Sequence, residues 1–194
     1  MRQRSADAAD LTGNGRMDLF VSHLDYELNR LYRNNGDGTF TDATVSSGIG
    51  RTSYLNSAFG ARFFDFDNDG RVDLYLSGNG GQPAALYRNL GGRFENVTQT
   101  AGHNGIGNGM GCSAGDYDND GFLDLFVANA GENGNVPGEN NNYLYHNNGN
   151  LTFTDVTAKA GVGGGNDARS IVADALWFDY DNDGRQDLLV ARFG

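Results

Sequence analysis

Short apolar runs recur along this chain, each directly behind an aspartate. They read Asp18-Leu19-Phe20-Val21-Ser22, Asp73-Leu74-Tyr75-Leu76-Ser77, Asp124-Leu125-Phe126-Val127-Ala128 and Asp187-Leu188-Leu189-Val190-Ala191. Runs this short, rich in β-branched and aromatic residues, predict strands. After each of the first three comes a second pattern: Leu31-Tyr32-Arg33-Asn34-Asn35-Gly36, Leu86-Tyr87-Arg88-Asn89-Leu90-Gly91 and Leu144-Tyr145-His146-Asn147-Asn148-Gly149. A Phe follows (Phe40, Phe94, Phe153), then a Thr-Asp-Ala-Thr-like segment, and Ser47-Gly48, Ala101-Gly102 or Ala160-Gly161 closes the unit. Asn-Gly between apolar runs predicts a hairpin turn. Each unit therefore reads as strand, polar loop, strand, connection, strand, turn, strand. Four antiparallel strands in a unit of this length form one blade of a β-propeller.

The expected fold is all-β, a single partial β-propeller of four-stranded antiparallel blades. The repeats fall at roughly 1–48, 57–102, 108–161 and 170–194, the last one truncated, giving about three and a half blades. Residues 1–9 are too short and polar for a full inner strand, so the first blade is expected to lack most of it. An unclosed array implies further blades of a longer chain, or self-association through exposed blade faces.

The loop ahead of each apolar run carries the chemistry. Three copies have Asp at positions 1, 3, 5 and 9 and Gly at position 6: Asp65, Asp67, Asp69, Gly70, Asp73; Asp116, Asp118, Asp120, Gly121, Asp124; and Asp179, Asp181, Asp183, Gly184, Asp187. A worn copy precedes them, with Asp10, Thr12, Asn14, Gly15 and Asp18. Four carboxylates in nine residues repel one another unless a cation neutralises them. A flexible all-oxygen cage suits Ca²⁺ better than Mg²⁺, which keeps its waters. Soft metals are not expected, because no loop contains Cys or His. The expected ligands are side-chain oxygens at positions 1, 3, 5 and 9 plus the carbonyl of position 7. Position 7 is Arg71, Phe122 and Arg185 in the three acidic loops and Arg16 in the worn one. This predicts three strong sites and one weak site. Calcium loops that lead into helices share the Asp-x-Asp-x-Asp-Gly start but need an acid at position 12. Here position 12 is Val21, Leu76, Val127 or Val190, inside the apolar run.

Together these motifs resemble the FG-GAP/VCBS repeat family, relatives of the integrin α-subunit propeller. Phe59-Gly60 and the loop Asp65 to Leu74 carry the likeness, and Leu31 to Phe40 is similar to the cartilage-acidic-protein subgroup. The resemblance implies Ca²⁺ in the first hairpin of each blade and ligand-facing connections on the opposite face. It also implies an extracellular or periplasmic setting, with a role in adhesion or in binding a protein or carbohydrate ligand. The alternative is a propeller scaffold within a secreted carbohydrate-active enzyme such as a polysaccharide lyase. Arg51, Tyr54, His103 and Arg169, in the connections between blades, are the groups that would favour it.

Composition narrows the classes. The 194 residues carry 25 acidic and 14 basic side chains, a net charge of −11, with 30 Gly and 2 Pro. Three bound dications would leave about −5, so nucleic acid is not an expected partner. No apolar stretch reaches membrane-spanning length. Cys112 stands alone and allows no internal disulfide. Gly111 to Gly115 spells Gly-x-Ser-x-Gly, but an acidic loop follows where a nucleophile elbow needs a helix. Ser113 is therefore expected inside an inner strand. His23, His103 and His146 share no spacing, and Trp177 is expected to pack between blades. Asn96 and Asn150 fit glycosylation sequons, which matter only in a secreted eukaryotic protein. The connections 128–142 and 161–173 are long enough to carry binding.

Overall fold

A computed structural model describes residues 3–23, 27–52, 59–78, 83–103, 109–129, 142–164 and 171–193. Each unit folds as its own sheet, its strands lying side by side in chain order. The first sheet comprises β1 (Gln3–Ala9), β2 (Asp18–His23), β3 (Arg30–Asn34) and β4 (Phe40–Asp42), and the short helix α1 (Ile49–Thr52) leads out of it. The second comprises β5 (Ala61–Phe64), β6 (Asp73–Leu76), β7 (Ala85–Asn89) and β8 (Phe94–Asn96). The third comprises β9 (Gly109–Gly115), β10 (Asp124–Asn129), β11 (Tyr143–Asn147) and β12 (Phe153–Asp155), followed by α2 (Thr157–Ala160). Last comes a two-stranded sheet of β13 (Ile171–Phe178) and β14 (Asp187–Phe193). Among the described residues the chain is a nearly all-β propeller segment of three blades and half a fourth, with almost no helix and no sheet closed on itself.

Register repeats from blade to blade. Leu19 pairs with Ala8 and Tyr32, Leu74 with Phe63 and Tyr87, and Leu125 with Ala114 and Tyr145. The acidic loops thus occupy the first hairpin of every sheet. Side chains alternate along a strand, so each central strand feeds two layers. Leu74 and Leu76 join Phe20, Leu31 and Ile49 between the first two blades, while Tyr75 joins Leu125, Val127 and Tyr145 between the next two. Phe126 and Ala128 turn the other way, towards Val172, Trp177 and Val190. The core is therefore a set of layers between sheets, which explains why the central strands are apolar on both faces.

Hydrogen bonds stitch the same seams. The backbone N–H of Phe94 donates to the Ser47 carbonyl and that of Phe153 to the Ala101 carbonyl, each at 2.8 Å. Asn89, fully buried, sends Nδ2 to the Leu11 carbonyl of the preceding blade at 3.0 Å. Asn147 does the same to Phe66 at 2.7 Å.

The first blade departs from the sequence expectation. Its inner strand is present: β1 pairs with β2 from Gln3 opposite His23 to Ala9 opposite Asp18, through one irregularity. The polar, small composition of residues 3–9 reflects where the strand lies. The inner strands crowd the propeller axis around a cavity of about 520 Å³ lined by Asp7, Arg62, Cys112 and Asp174 among others. A Cβ built on Gly111 of β9 would stand 2.7 Å from the Ala173 carbonyl of β13. Small residues are what such a position admits, and apolarity is a poor sign of a strand there.

Candidate metal centres

Each loop winds around its first acid. Asp65 accepts the Asp69 N–H at 3.1 Å and the Gly70 N–H at 2.8 Å. Asp116 takes Asp120 and Gly121, and Asp179 takes Asp183 and Gly184, at 2.9–3.1 Å. The reversal needs left-handed backbone at positions 4 and 6, where Asn68 has φ 57° and Gly70 φ 84°. Asn and Gly are the residues that tolerate this conformation. The worn loop keeps the same wrap, with Asp10 accepting from Asn14 and Gly15.

The ninth acid is a bracket as well as a candidate ligand. Asp73 is fully buried and accepts the Asn89 N–H at 2.7 Å and the Phe66 N–H at 3.0 Å. Asp124 repeats this with Asn147 and Tyr117. These bonds tie the loop to the third strand of its own blade. Burial pushes the Asp73 carboxyl up to about 7; its two backbone donors oppose the rise, and the Asp67 and Asp69 charges add to it. Burial raises Asp124 to about 6, against the pull of its own two backbone donors.

The carboxylates converge. Oxygens of Asp65, Asp67 and Asp73 lie within 4.8 Å of one another, as do those of Asp116, Asp118 and Asp124, and of Asp179, Asp181 and Asp187. Positions 1, 3 and 9 thus meet in all three acidic loops. Position 5 is turned aside in the second loop, where Asp69 pairs with Arg71 and lies 3.6 Å from Arg88. Arg88 also places Nε 2.6 Å from Asp67 Oδ2, a buried oxygen with no aligned hydrogen bond. In the worn loop, Thr12 Oγ1 and Asp18 Oδ2 are buried without hydrogen-bond partners. A hard cation fits this donor set: the ligand atoms are oxygens and they converge, and in the worn loop buried ones are left unpaired, while in the second loop the Arg88 guanidinium already partners Asp67 and Asp69. Asp65, Asp67 and Asp73 and their counterparts would hold the ion. It would supply the positive charge that lets three or four carboxylates share one turn.

The loops also touch each other. Asn68 Nδ2 donates to the Gly121 carbonyl at 2.9 Å, and Asn119 Nδ2 to the Gly184 carbonyl at 3.1 Å. The worn loop has Gly13 at this position and has no such side chain. The sequence reading passed over this Asn, although its recurrence as Asn68, Asn119 and Asn182 was the available signal. Arg88 and His146 also reach the loops, from the third strand of their blades, although their sequence positions showed only the strand pattern and, for His146, no spacing shared with the other histidines. His146 Nδ1 lies 3.3 Å from Asp118 Oδ2 and 3.2 Å from Asp124 Oδ1. Loop-by-loop reading excludes such residues by construction.

Other candidates resolve as packing. His103 is buried against the Tyr75 and Tyr145 rings, centroids 5.0 and 4.3 Å away, and burial lowers its pKa to about 4. It is not a surface group for an enzyme site. Tyr54, Arg169 and the side chain of Arg51 lie outside the described residues, as does most of the two long connections. Ser113 is buried inside β9, and its carbonyl accepts the Trp177 indole N–H at 3.3 Å. Trp177 stacks on Tyr117 between the last blades. Burial pushes the Cys112 thiol up to about 12, which leaves it inert.

Repeated blades, each with a carboxylate turn in its first hairpin, define a class, and comparison with known proteins names it. The FG-GAP-like repeat matches residues 10–76, 65–127 and 130–190, and the chain belongs to this family. Human cartilage acidic protein 1 is 32% identical over 84 residues, covering 43% of this chain and 12% of that protein. A solved structure of an Agrocybe aegerita lectin, described as specifically recognising non-reducing terminal N-acetylglucosamine, overlays with a TM-score of 0.47 at 21% identity. The match covers 94% of this chain and 45% of the lectin chain. The chain therefore spans less than half of either relative. Among the described residues, no helix is long and apolar enough to cross a membrane.

Proposed function

We propose that this chain is a calcium-stabilised segment of an extracellular or periplasmic propeller, a non-catalytic scaffold for adhesion or ligand binding. The observation that carries the reading is the threefold recurrence of a convergent carboxylate cluster at positions 1, 3 and 9 of the blade loops. Side chains of Asp65, Asp67, Asp69 and Asp73, with the Arg71 carbonyl, form the second site. Asp116, Asp118, Asp120, Asp124 and Phe122 form the third, and Asp179, Asp181, Asp183, Asp187 and Arg185 the fourth. Asp10, Thr12, Asn14, Arg16 and Asp18 form a weaker first site. The ion's role is structural: it neutralises the turn and pins the two inner strands together. In this reading the connections on the opposite face would be the ones that engage a protein or carbohydrate. Binding belongs in the range of extracellular calcium modules, ~10⁻⁴ to 10⁻³ M. Thermal unfolding in millimolar Ca²⁺ should rise above that in EDTA, and above that in equal Mg²⁺. Identical unfolding curves in all three would overturn the reading.

A further inference from the structure

The seams between blades follow one rule, and each end of the chain carries half of it. In the two seams between full blades, a Phe at the start of the fourth strand is covered. Phe94 shares a core layer with Leu11, the second residue of the first loop, and Phe153 stacks on Phe66, the second residue of the next, with centroids 6.1 Å apart. The third-strand Asn bonds across the same seam. Asn89 and Asn147 each send Nδ2 to one carbonyl of their own blade and to one at loop position 2 of the preceding blade. A third contact runs from loop position 4 to the Gly at position 6 of the next loop, joining Asn68 to Gly121 and Asn119 to Gly184.

The first blade carries one half of this rule on a face left uncovered among the described residues. Asn34 keeps both bonds within its blade, to the Met17 carbonyl at 3.1 Å and from the Gly36 N–H at 2.9 Å, and lacks only the one to a preceding blade. Phe40 is 50% exposed, where its counterparts Phe94 and Phe153 are 8% and 6% exposed. The half-blade carries the other half. Tyr180, at loop position 2, is 77% exposed. Leu189 is also exposed, although its counterparts Phe20, Tyr75 and Phe126 are fully buried in seams. Asn182 holds loop position 4 with the same left-handed backbone as Asn68 and Asn119.

We propose that this chain associates head to tail with a second copy of itself, the first blade of one copy seated on the half-blade of the other in the register of the internal seams. Phe40 covers the Tyr180 ring, Asn34 Nδ2 donates to the Tyr180 carbonyl, and Asn182 Nδ2 donates to the Gly15 carbonyl. The occupant is a copy because its first blade supplies, at matching repeat positions, the three groups that meet Tyr180 and Asn182. The interface continues one that the chain already forms twice within itself. It joins two different patches, so copies add until a ring closes or a filament grows. The inference rests on blade packing and not on the reading of the loops as cation cages.

Sedimentation velocity on the 194-residue chain in millimolar Ca²⁺ tests it, with one exposed substitution at each end, Phe40→Ser and Tyr180→Ser. The wild type should assemble as its concentration rises. Each variant alone should associate on the order of tenfold more weakly. Mixed in equal amounts, the two variants should form a one-to-one dimer and nothing larger, since each keeps the face that the other has lost. A wild type that stays monomeric at every concentration overturns the proposal, and so does a mixture that stays dissociated. Either variant assembling like the wild type also overturns it, because that marks a contact between like faces. Should a variant fail to fold, disulfide trapping decides. Phe40→Cys mixed with Tyr180→Cys under mild oxidation should give the mixed disulfide in excess over either homodimer, since the native Cys112 is buried and inert. A statistical mixture of the three disulfides overturns the proposal.

Discussion

Replacing Asn147 by Ala should cost far more stability than replacing its first-blade counterpart, Asn34. Asn147 is fully buried and makes three side-chain hydrogen bonds. Nδ2 donates to Phe66 O of the preceding blade at 2.7 Å and to Leu123 O at 3.1 Å, and Oδ1 accepts the Gly149 N–H at 3.1 Å. At about 0.5–1.5 kcal/mol net per bond the loss is roughly 2–4 kcal/mol. The upper end applies because the Phe66 carbonyl is left unpaired in a buried seam. Among the described residues, the Asn34 side chain makes only the exposed bonds to Met17 O and from Gly36 N–H. Water replaces these, so Asn34→Ala should cost about 0.5–1 kcal/mol. In a repeat array stability is a sum of unit and neighbour-interface contributions, so the difference measures the seam between the second and third blades. Urea unfolding followed by circular dichroism, in saturating Ca²⁺, reads it. Equal midpoints for the two variants would refute the claim that this side chain locks one blade to the next.

Three other outcomes follow from the same geometry. Without added metal, stability should fall as pH rises from about 4 to about 7. Folded Asp73 and Asp124 keep their protons up to about 7 and about 6, while the unfolded chain loses both near 3.8; buried His103, lowered to about 4, acts the other way but is one group against two, so the folded state binds more protons on balance. Chemical denaturation in EDTA at several pH values checks the sign, and a rise over that range would contradict it. Asn119→Ala, which cuts the contact between the third and fourth loops, should leave the number of Ca²⁺ sites unchanged and lower the Hill coefficient of binding; an unaltered isotherm would show that the contact carries no coupling. The half-blade leaves Leu176 and Leu189 56% exposed, so the isolated chain should self-associate in light scattering. Leu176→Ser with Leu189→Ser should restore the monomer, and persistent association would place the contact elsewhere.

The repeat made most of this fold legible. Central strands carry apolar residues on both faces because both faces meet a neighbouring blade, and that pattern survives in a bare sequence. The inner strand β1 was misjudged because its position at the axis selects small residues, so Ala6, Asp7 and Ala8 lack the signature of a strand. Carboxylates at positions 1, 3 and 9 were legible as a cluster because they sit within one turn. The bracket role of Asp73 was not, since its partner Asn89 comes from another strand. Arg88 and His146 were hidden for the same reason: they reach the loops only once the blade has folded.

The central claim, that the acidic turns are cation cages, is tested most directly by counting. Isothermal titration of the metal-free chain with Ca²⁺ should show about three sites of similar strength, with Asp67→Ala, Asp118→Ala and Asp181→Ala each removing one. No binding heat at several millimolar Ca²⁺, or a site count unchanged in all three variants, would contradict the account.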